Sequence, residues 1–322
     1  MKILVTGGSG FIGTNLIKKL LEEDGIDIKN IDIKAPRNEA QHSNWVNCDI
    51  CNFELLEQTF RKFQPKIVIH LAARTDLDGL SINDYPENVD GVANIIQCCN
   101  TTQSLERVIF VSSMLVCRLG YQPINDQDYC PTTAYGESKV KGEELVRSAI
   151  KSDIEWAIVR PTSLWGPWFD IPYRNFFDIV RSGYFMLPRD LKVYRSYGFI
   201  LNSIDQLMCL IYTNKQSALC QTHYLADYEP IELSNWANEI IQISERGKIY
   251  RPPWMVLKTI AVIGDLLKFI GFKSSPMTSF RLNNMTTNAV YNTDSLQDVC
   301  GEQTYSMHDG VKITVNWLNR DK

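Results

Sequence analysis

The chain has 322 residues, of which 44 % are hydrophobic, and a formal net charge of −4 at pH 7. This length allows more than one minimal domain, and this composition is sufficient for a sizeable core. The charge balance gives no basic field for nucleic acid, and no run of lysines and arginines is interleaved with aromatic residues. We expect a globular protein with no nucleic-acid partner.

The nine cysteines are odd in number and scattered, and the chain enters a strand at once with no signal region. We therefore expect a reducing, cytoplasmic location. Cys48 and Cys51 form a C-x-x-C, which is typical of a redox pair or of half a zinc site. No metal is predicted, because the histidines lie too far apart in sequence to complete such a site; they are His42, His70, His223 and His308.

The opening stretch KILVTGGSGFIG predicts a strand, a glycine turn and a helix over residues 11–21. Strands and helices then alternate. The pattern predicts strands over residues 28–33, 44–48, 66–71, 107–111 and 155–159, and helices over residues 53–63, 89–99 and 133–150. This alternation predicts an α/β fold of the Rossmann type, a doubly wound parallel sheet covered by helices on both faces.

The alternation stops after Arg160, where prolines and aromatic residues crowd residues 161–172. We predict a dinucleotide-binding domain over residues 1–165, with a return segment around 195–215, and a smaller mixed α/β substrate domain over residues 166–322.

Residues 254–272 form the most apolar stretch. Lys258, Asp265 and Lys268 fall on one side of its helical wheel and Gly264 interrupts it, so we predict no integral membrane span. A core or interface helix is favoured, while a surface that associates with a membrane or a lipid-like substrate stays open.

The glycines of the first turn fit two registers. Gly8, Gly10 and Gly13 match G-x-G-x-x-G, and Gly7 with the last two matches G-x-x-G-x-x-G. In either register the missing side chains let backbone N–H groups approach a pyrophosphate, and the helix from Phe11 directs its positive end at that anion. A tight turn with no ligand is the alternative, but the strand–turn–helix context favours a dinucleotide.

Asp32 ends the next strand, nineteen residues after Gly13, where an acid accepts hydrogen bonds from a ribose. Its charge repels a 2′-phosphate and therefore favours NAD over NADP. Lys34 and Arg37 follow closely, so NADP stays open.

Tyr135 and Lys139 are four residues apart and share one face of a helix. The preceding strand carries Ser112 and Ser113 at its carboxyl end, where a doubly wound sheet presents its ligands. An alcohol gives up a hydride only if its proton leaves as well, so a base must stand beside the carbinol. We expect Lys139, with an oxidised nicotinamide, to lower the pKa of Tyr135 from its ordinary value of about 10. An exposed tyrosine with an incidental lysine is the alternative.

The order of these motifs resembles the extended short-chain dehydrogenase/reductase superfamily, specifically its NAD-dependent nucleotide-sugar epimerase/dehydratase family. The motifs are TGGSGFIG, Asp32, NCDI, HLAA, ENVDGVANII, FVSS, YGESK and RPTSLWGP. The resemblance is strong over about residues 1–167 and loose beyond them.

The resemblance implies a role for each matching residue. Ser113, Tyr135 and Lys139 would be catalytic. The cofactor would be bound by Gly7, Gly10, Phe11, Ile12, Gly13, Asp32, Asp49, Ile50, Leu71, Ala72, Ala73, Asn88, Ser112, Tyr135, Lys139, Pro161 and Ser163. Among these, Asp49 and Ile50 would face the adenine, although Asp49 could instead cap the helix at Phe53. Asn88 would fix the active-site helix, and His70 would be a packed strand residue.

Two departures from the family pattern narrow the reaction. Met114 and Leu115 stand where dehydratases of the family have Asp-Glu, so a 4,6-dehydratase is disfavoured. The usual V-Y-G reads Val116, Cys117, Arg118, which puts a substrate contact by the family tyrosine in doubt.

The substrate would be a nucleoside-diphosphate sugar, whose diphosphate requires arginine or backbone donors. Asn175, Arg195 and Arg281 are the candidates, together with Ser113 at the sugar. We expect an NAD-dependent C4 epimerase that acts through a transient keto sugar. The alternatives are a one-way NAD(P)H-dependent ketoreductase, a reductase of sterol-like or lipid alcohols, and a non-catalytic nucleotide-binding protein. The resemblance also implies a homodimer through the helices around Tyr135 and Val89.

Overall fold

A computed structural model describes residues 1–171, 173–189, 191–270 and 277–320. The strands are β1 Lys2–Thr6, β2 Asp27–Asp32, β3 Trp45–Asn47, β4 Ile67–His70, β5 Arg107–Val111, β6 Glu155–Pro161, β7 Ser163–Trp165, β8 Phe185–Met186, β9 Tyr194–Arg195, β10 Tyr197–Phe199, β11 Gln221–Leu225, β12 Ile231–Glu232 and β13 Ile249–Tyr250. The α-helices are α1 Phe11–Leu20, α2 Phe53–Phe63, α3 Pro86–Thr101, α4 Ala134–Ala149, α5 Arg174–Ser182, α6 Ile200–Tyr212, α7 Leu233–Ser244, α8 Trp254–Phe269, α9 Ser279–Thr286, α10 Asp294–Cys300 and α11 Met307–Arg320.

Seven strands form one parallel sheet in the order β11-β6-β5-β4-β1-β2-β3. Side chains alternate between its faces: Ile3 and Val5 of β1 belong to one core cluster, and Leu4 belongs to the other. Helices α1 and α6 contribute to the first cluster, whereas α2, α3 and α4 contribute to the second. The predicted Rossmann-type fold is confirmed.

The predicted elements of the first 160 residues all form, with ends that differ by up to three residues. Helix α3 begins at Pro86, because proline is well suited to the first turn of a helix. Strand β11 was not predicted, yet it pairs in parallel with β6 and completes the sheet from the second half of the chain. The predicted division at residue 165 stays a prediction.

The second half of the chain packs on an aromatic cluster. The Trp165, Phe177 and Trp236 rings lie 5.1–5.7 Å apart between centroids, and Phe176 stacks on Trp236 at 4.3 Å. A disulfide joins Cys209 of α6 to Cys300 of α10. This bond does not favour the reducing compartment expected from the cysteine pattern, and the cytoplasmic location stays a prediction.

The apolar stretch predicted over residues 254–272 is helical as far as Phe269, and residues 271 and 272 lie outside the described residues. Within the described part of the chain, no helix is both long enough and apolar enough to cross a membrane.

Candidate active site

The glycine turn brings β1, α1 and the segment after β4 into close contact. Gly7 has a φ of +71°, and a Cβ there would lie 2.5 Å from the backbone nitrogen of Ala72. A Cβ on Gly13 would lie 2.5 Å from the carbonyl oxygen of Gly7. Only glycine fits at these two positions, because one needs the left-handed region and both leave no room for a side chain.

Helix α1 can receive a pyrophosphate at its N-terminus. Its N-cap is Gly10, no side chain caps it, and its first turn has no acidic residue. The first intrahelical bond runs from Thr14 N–H to the Gly10 carbonyl at 2.8 Å. The N–H groups of Phe11 and Ile12 therefore remain available to an anion, which the helix dipole also favours.

The Asp32 carboxylate is held at the end of β2 by backbone donors. The Ser9 N–H donates to Oδ2 at 3.0 Å and the Lys34 N–H donates to Oδ1 at 2.8 Å. Arg37 forms an ion pair with Asp170 and donates to the Trp168 carbonyl at 2.9 Å. Arg37, one of the two cations expected to favour a 2′-phosphate, is therefore already paired, which favours NAD.

Asp49 does not cap α2. The N-cap is Asn52, which accepts from Leu55 N–H at 3.2 Å, while Asp49 Oδ1 accepts from Cys51 N–H at 2.8 Å. The capping alternative is therefore wrong. Ile50 is 4 % exposed and its carbonyl accepts from the Asn94 amide at 2.9 Å; adenine binding by Asp49 and Ile50 stays a prediction.

Residues 71–73 continue from β4 beside the glycine turn, where Ala72 N–H donates to Thr6 Oγ1 at 3.3 Å. His70 ends β4 and is 2 % exposed, with Nδ1 2.7 Å from Thr6 Oγ1. Burial lowers the pKa of His70 to about 3, so the ring is neutral. The prediction of a packed strand histidine is confirmed. Contact of Leu71, Ala72 and Ala73 with the cofactor stays a prediction.

Asn88 joins three elements and is 1 % exposed. Its amide accepts from Arg74 N–H and donates to the Arg74 carbonyl, each at 2.9 Å. It also donates to Ser138 Oγ at 2.9 Å, and Ser138 Oγ donates to the Tyr135 carbonyl at 2.7 Å. The side chain therefore fixes the first turn of α4; contact of Asn88 with the cofactor stays a prediction.

Ser113, Tyr135 and Lys139 meet at the carboxyl end of β5, and each is less than 9 % exposed. Thr133 caps α4 by accepting from Gly136 N–H at 3.0 Å, which fixes the start of the helix that carries the other two residues. Ser113 lies near enough to Tyr135 to lower the pKa of its phenol. Lys139 Nζ donates to the Val111 carbonyl at 2.8 Å.

The two titratable groups have shifted pKa values. Burial raises the pKa of Tyr135, although the neighbouring Ser113 opposes this. Burial lowers the pKa of Lys139 to about 8, against the attraction of Glu143. In the protein without cofactor, Lys139 is not among the groups that shift the pKa of Tyr135. A lowered tyrosine pKa therefore stays a prediction for the complex with oxidised NAD.

A buried ionic network lies behind this site, and the sequence analysis missed it. Ser112 Oγ donates to Glu143 Oε1 at 2.6 Å, and Tyr129 donates to Oε2 at 2.9 Å. Arg160 donates to the same carboxylate at 2.8 and 2.7 Å. Because the Ser112 hydroxyl is hydrogen-bonded to Glu143, Ser113 is the serine available to act with Tyr135. The sequence signal was Glu143 itself, four residues after Lys139 on the same helix face.

Pro161 ends β6 and Ser163 begins β7, on either side of Thr162, whose N–H donates to the Leu225 carbonyl at 3.1 Å. The turn therefore lies at the carboxyl end of β6, as predicted. Its contact with the nicotinamide amide stays a prediction.

The three predicted diphosphate residues differ in burial. Asn175 on α5 and Arg281 on α9 are exposed, whereas Arg195 on β9 is 8 % exposed. Its Nε has no hydrogen-bond partner, and within the described residues no carboxylate forms an ion pair with its guanidinium. Burying an unpaired cation is costly, so the position suits an anionic ligand.

Tyrosines lie near Arg195 and near the catalytic group. Burial raises the pKa of Tyr197, against the charge of Arg195, and Tyr173 is one of the groups that raise the pKa of Tyr135. Tyr85 also lies against Tyr135, with ring centroids 6.0 Å apart. Tyr85 and Tyr173 therefore act on the catalytic tyrosine, while Tyr197 is coupled to Arg195. The three neighbouring tyrosines were missed, because aromatic residues outside a motif carry no sequence signal of their own.

No metal centre is evident in the described residues, where no three His, Cys, Asp or Glu side chains are grouped to hold an ion. Burial raises the pKa of both Cys48 and Cys51 to about 11, which keeps them as thiols at neutral pH.

Residues 3–215, more than half of the chain, match the NAD dependent epimerase/dehydratase family. The chain belongs to this family. It is an NAD-dependent enzyme of the extended short-chain dehydrogenase/reductase superfamily, and the glycine turn, the open N-terminus of α1 and Asp32 fit its cofactor.

Full-length relatives of this family member differ in their reactions. It is 24 % identical to a putative UDP-glucose 4-epimerase of Methanocaldococcus jannaschii, covering 99 % of each chain. It is also 24 % identical to a sterol-4-alpha-carboxylate 3-dehydrogenase of Schizosaccharomyces pombe, covering 100 % of this chain and 99 % of that protein. The crystal structure of a UDP-glucuronic acid 4-epimerase from Bacillus cereus, in complex with UDP-glucuronic acid and NAD, has the same fold, with a TM-score of 0.74, 18 % identity and full coverage of both chains.

Proposed function

We propose that this enzyme inverts C4 of the sugar in a nucleoside-diphosphate sugar through a transient keto sugar. The proposal is supported by two observations: Ser113, Tyr135 and Lys139 are buried at the carboxyl end of β5, and Arg195 is buried with no carboxylate paired to it among the described residues. The first group suits an alcohol that becomes a ketone, and Arg195 suits the diphosphate of the same substrate.

When bound, NAD would supply the hydride acceptor and donor for the sugar carbon. Tyr135 accepts the proton of the sugar hydroxyl. It returns the proton after the keto sugar has rotated in the pocket to present its other face. Ser113 donates a hydrogen bond to the reacting oxygen, and Lys139 provides positive charge that favours the phenolate. We infer that Arg195 holds the diphosphate, with Asn175 and Arg281 as further contacts, while the sugar turns in the pocket.

Two observations favour this reaction over the alternatives. Met114 and Leu115 lie in the short helical turn after Ser113 and supply no acid for elimination of water. Several apolar side chains that prompted the lipid-alcohol alternative, such as Leu266 at 61 % and Phe269 at 89 % exposure, point away from the body of the protein and so do not line the pocket. A one-way ketoreductase could use the same catalytic residues, and identification of the bound nucleotide separates the two reactions.

The nucleotide released when freshly purified protein is denatured tests the proposal, with mass spectrometry as the measurement. An epimerase regenerates its cofactor in each cycle, so we expect close to one NAD or NADH per chain. Empty protein or bound NADP(H) would instead indicate a reductase that exchanges its cofactor at every turnover.

Variants test the residues assigned to each step. Tyr135→Phe is expected to retain cofactor but lose about 10²- to 10⁴-fold in turnover, because the proton-transfer group is gone. Tyr121→Phe is the matched control, since the Tyr121 hydroxyl binds Asp128 at 2.9 Å, away from the catalytic residues.

Arg195→Met should raise KM for the nucleotide sugar far more than Arg195→Lys does. An unchanged KM would refute the assignment of Arg195 to the diphosphate.

The homodimer is also proposed. A surface groove between α3 and α4 is lined largely by aliphatic groups, including those of Ala93, Ile96, Leu145 and Ala149. Its apolar character supports pairing of these helices with those of a second copy.

A further inference from the structure

Helix α8 carries an apolar surface that the fold leaves uncovered. Leu257, Ala261 and Gly264 are its buried residues, and its contact with the body is a small cluster shared with Leu282 and nearby methionines. The exposed apolar side chains are Met255, Val256, Val262, Ile263, Leu266 and Phe269, followed by Ile270. Exposure reaches 61 % at Leu266 and 89 % at Phe269. A soluble surface rarely presents so many apolar side chains together.

The centre of this apolar surface points away from the protein. At about 100° per residue, Val262, Met255 and Leu266 lie opposite the buried stripe of Leu257 and Gly264. The exposed Thr259 lies among them, but its hydroxyl donates to the Met255 carbonyl at 2.9 Å within the helix. The usual order of an amphipathic surface helix, with polar residues outward, is therefore reversed.

Exposed aromatic residues flank the apolar face. Trp254 begins α8, Tyr250 precedes it in β13, and Tyr184 precedes β8, which pairs with β13. They are 45 %, 48 % and 77 % exposed, respectively, and Phe280 of the neighbouring α9 is 70 % exposed. Tryptophan and tyrosine are enriched where an apolar phase meets water, since one end of each ring system is apolar and the other polar.

The same segment is strongly basic. The described residues between 246 and 281 include six lysines and arginines and a single acidic residue, although the whole chain has a net charge of −4. That acid, Asp265, accepts from Ser279 N–H of α9 at 3.1 Å. Lys258 and Lys268 of α8 are both exposed. Basic residues beside an apolar helix face complement a negatively charged lipid surface.

We propose that α8 docks this enzyme on an anionic membrane surface, with its axis along the membrane plane. Its sixteen residues span about 24 Å, which is shorter than a bilayer core, so the helix lies on the membrane. A second copy of this chain suits the apolar surface of α8 less well than a membrane does. A two-fold dimer would bring the same basic segment of each copy together, which is electrostatically unfavourable.

The docking surface is connected to the substrate pocket. Helix α9 packs on α8 and runs into Asn288 and Ala289; Asn288 Oδ1 accepts from Tyr194 N–H at 2.9 Å, and Ala289 bridges to Arg195. The strand that carries the anion-binding arginine is therefore anchored to the helix pair at the membrane. The docking proposal does not depend on the reaction proposed above, because it is tested by lipid binding alone.

Vesicle flotation of the full chain tests the proposal. We expect binding to vesicles of phosphatidylcholine with phosphatidylglycerol, weaker binding to phosphatidylcholine alone, and release by salt. Leu266→Glu combined with Phe269→Glu should weaken binding at least about tenfold, because two apolar anchors become charged. Leu80→Glu is the matched control, since Leu80 is 95 % exposed but distant in sequence from α8. Circular dichroism of each variant checks that it is folded.

Three results would overturn the proposal. The wild-type chain could stay in solution with both kinds of vesicle, or the double variant could float as well as the wild type. Alternatively, light scattering could show a dimer that the double variant converts to a monomer while neither protein binds vesicles, which would make a second copy the occupant of α8.

Discussion

The buried ion pair between Glu143 and Arg160 leads to a quantitative prediction. Both side chains are 1 % exposed, and the guanidinium donates to both carboxylate oxygens at 2.8 and 2.7 Å. Glu143→Gln keeps the shape of the side chain but leaves the arginine without its counter-charge. Removing one partner of a buried pair costs about 3–5 kcal/mol. We expect the lower end, about 3 kcal/mol, because the Asp126 carbonyl still accepts from Arg160 at 2.5 Å.

Urea unfolding, followed by tryptophan fluorescence at pH 7, measures this loss. Glu144→Gln is the control on the same helix, because Glu144 is 50 % exposed and its pair with Lys141 should be worth less than about 1 kcal/mol. Replacing Arg160 by Met in the Glu143→Gln background should recover part of the loss, since the unpaired charge is removed. If Glu143→Gln lost no more stability than Glu144→Gln, the reasoning about this network would be refuted.

Two further predictions concern single carboxylates. Asp32→Asn should shift the ratio of NAD to NADP affinity towards NADP, measured by fluorescence titration, because the charge that repels a 2′-phosphate is removed; an unchanged ratio would mean that Asp32 does not face the ribose. Burial raises the pKa of Asp227 from 3.8 to about 7, so the folded protein holds this proton more firmly than the unfolded chain, and the free energy of unfolding should fall as pH rises from about 4 to about 7. Asp227→Asn should remove up to roughly 4 kcal/mol of that decrease. If the pH–stability curves of the variant and the wild type were parallel, Asp227 would not be the group responsible.

The periodic part of the fold could be predicted from the sequence because burial there follows a simple repeat. Strands β1, β4, β5 and β6 are apolar runs, and the helices between them have clear apolar spacing, so the parallel sheet follows from the chain order. Strand β11 was missed because residues 221–225 read QTHYL, in which a buried histidine replaces the expected aliphatic residue.

The site was predictable where residue type and spacing meet a chemical need, as for Tyr135 and Lys139. It was not predictable where the partner comes from elsewhere in the chain. The Glu143–Arg160 pair joins residues seventeen apart on different elements, and the disulfide joins residues 91 apart. The capping role considered for Asp49 belongs instead to Asn52. The sequence could not separate the two, because capping depends on local backbone geometry and both are polar residues just before the helix.

Nuclear magnetic resonance of nucleoside-diphosphate sugars, incubated with the purified enzyme in heavy water without added cofactor, tests the central claim most directly. The proposal predicts inversion at C4 of at least one sugar with its original hydrogen retained at that carbon, because the hydrogen leaves and returns within one active site. No turnover of any nucleotide sugar, or turnover that requires added NADPH and yields a reduced product, would contradict it.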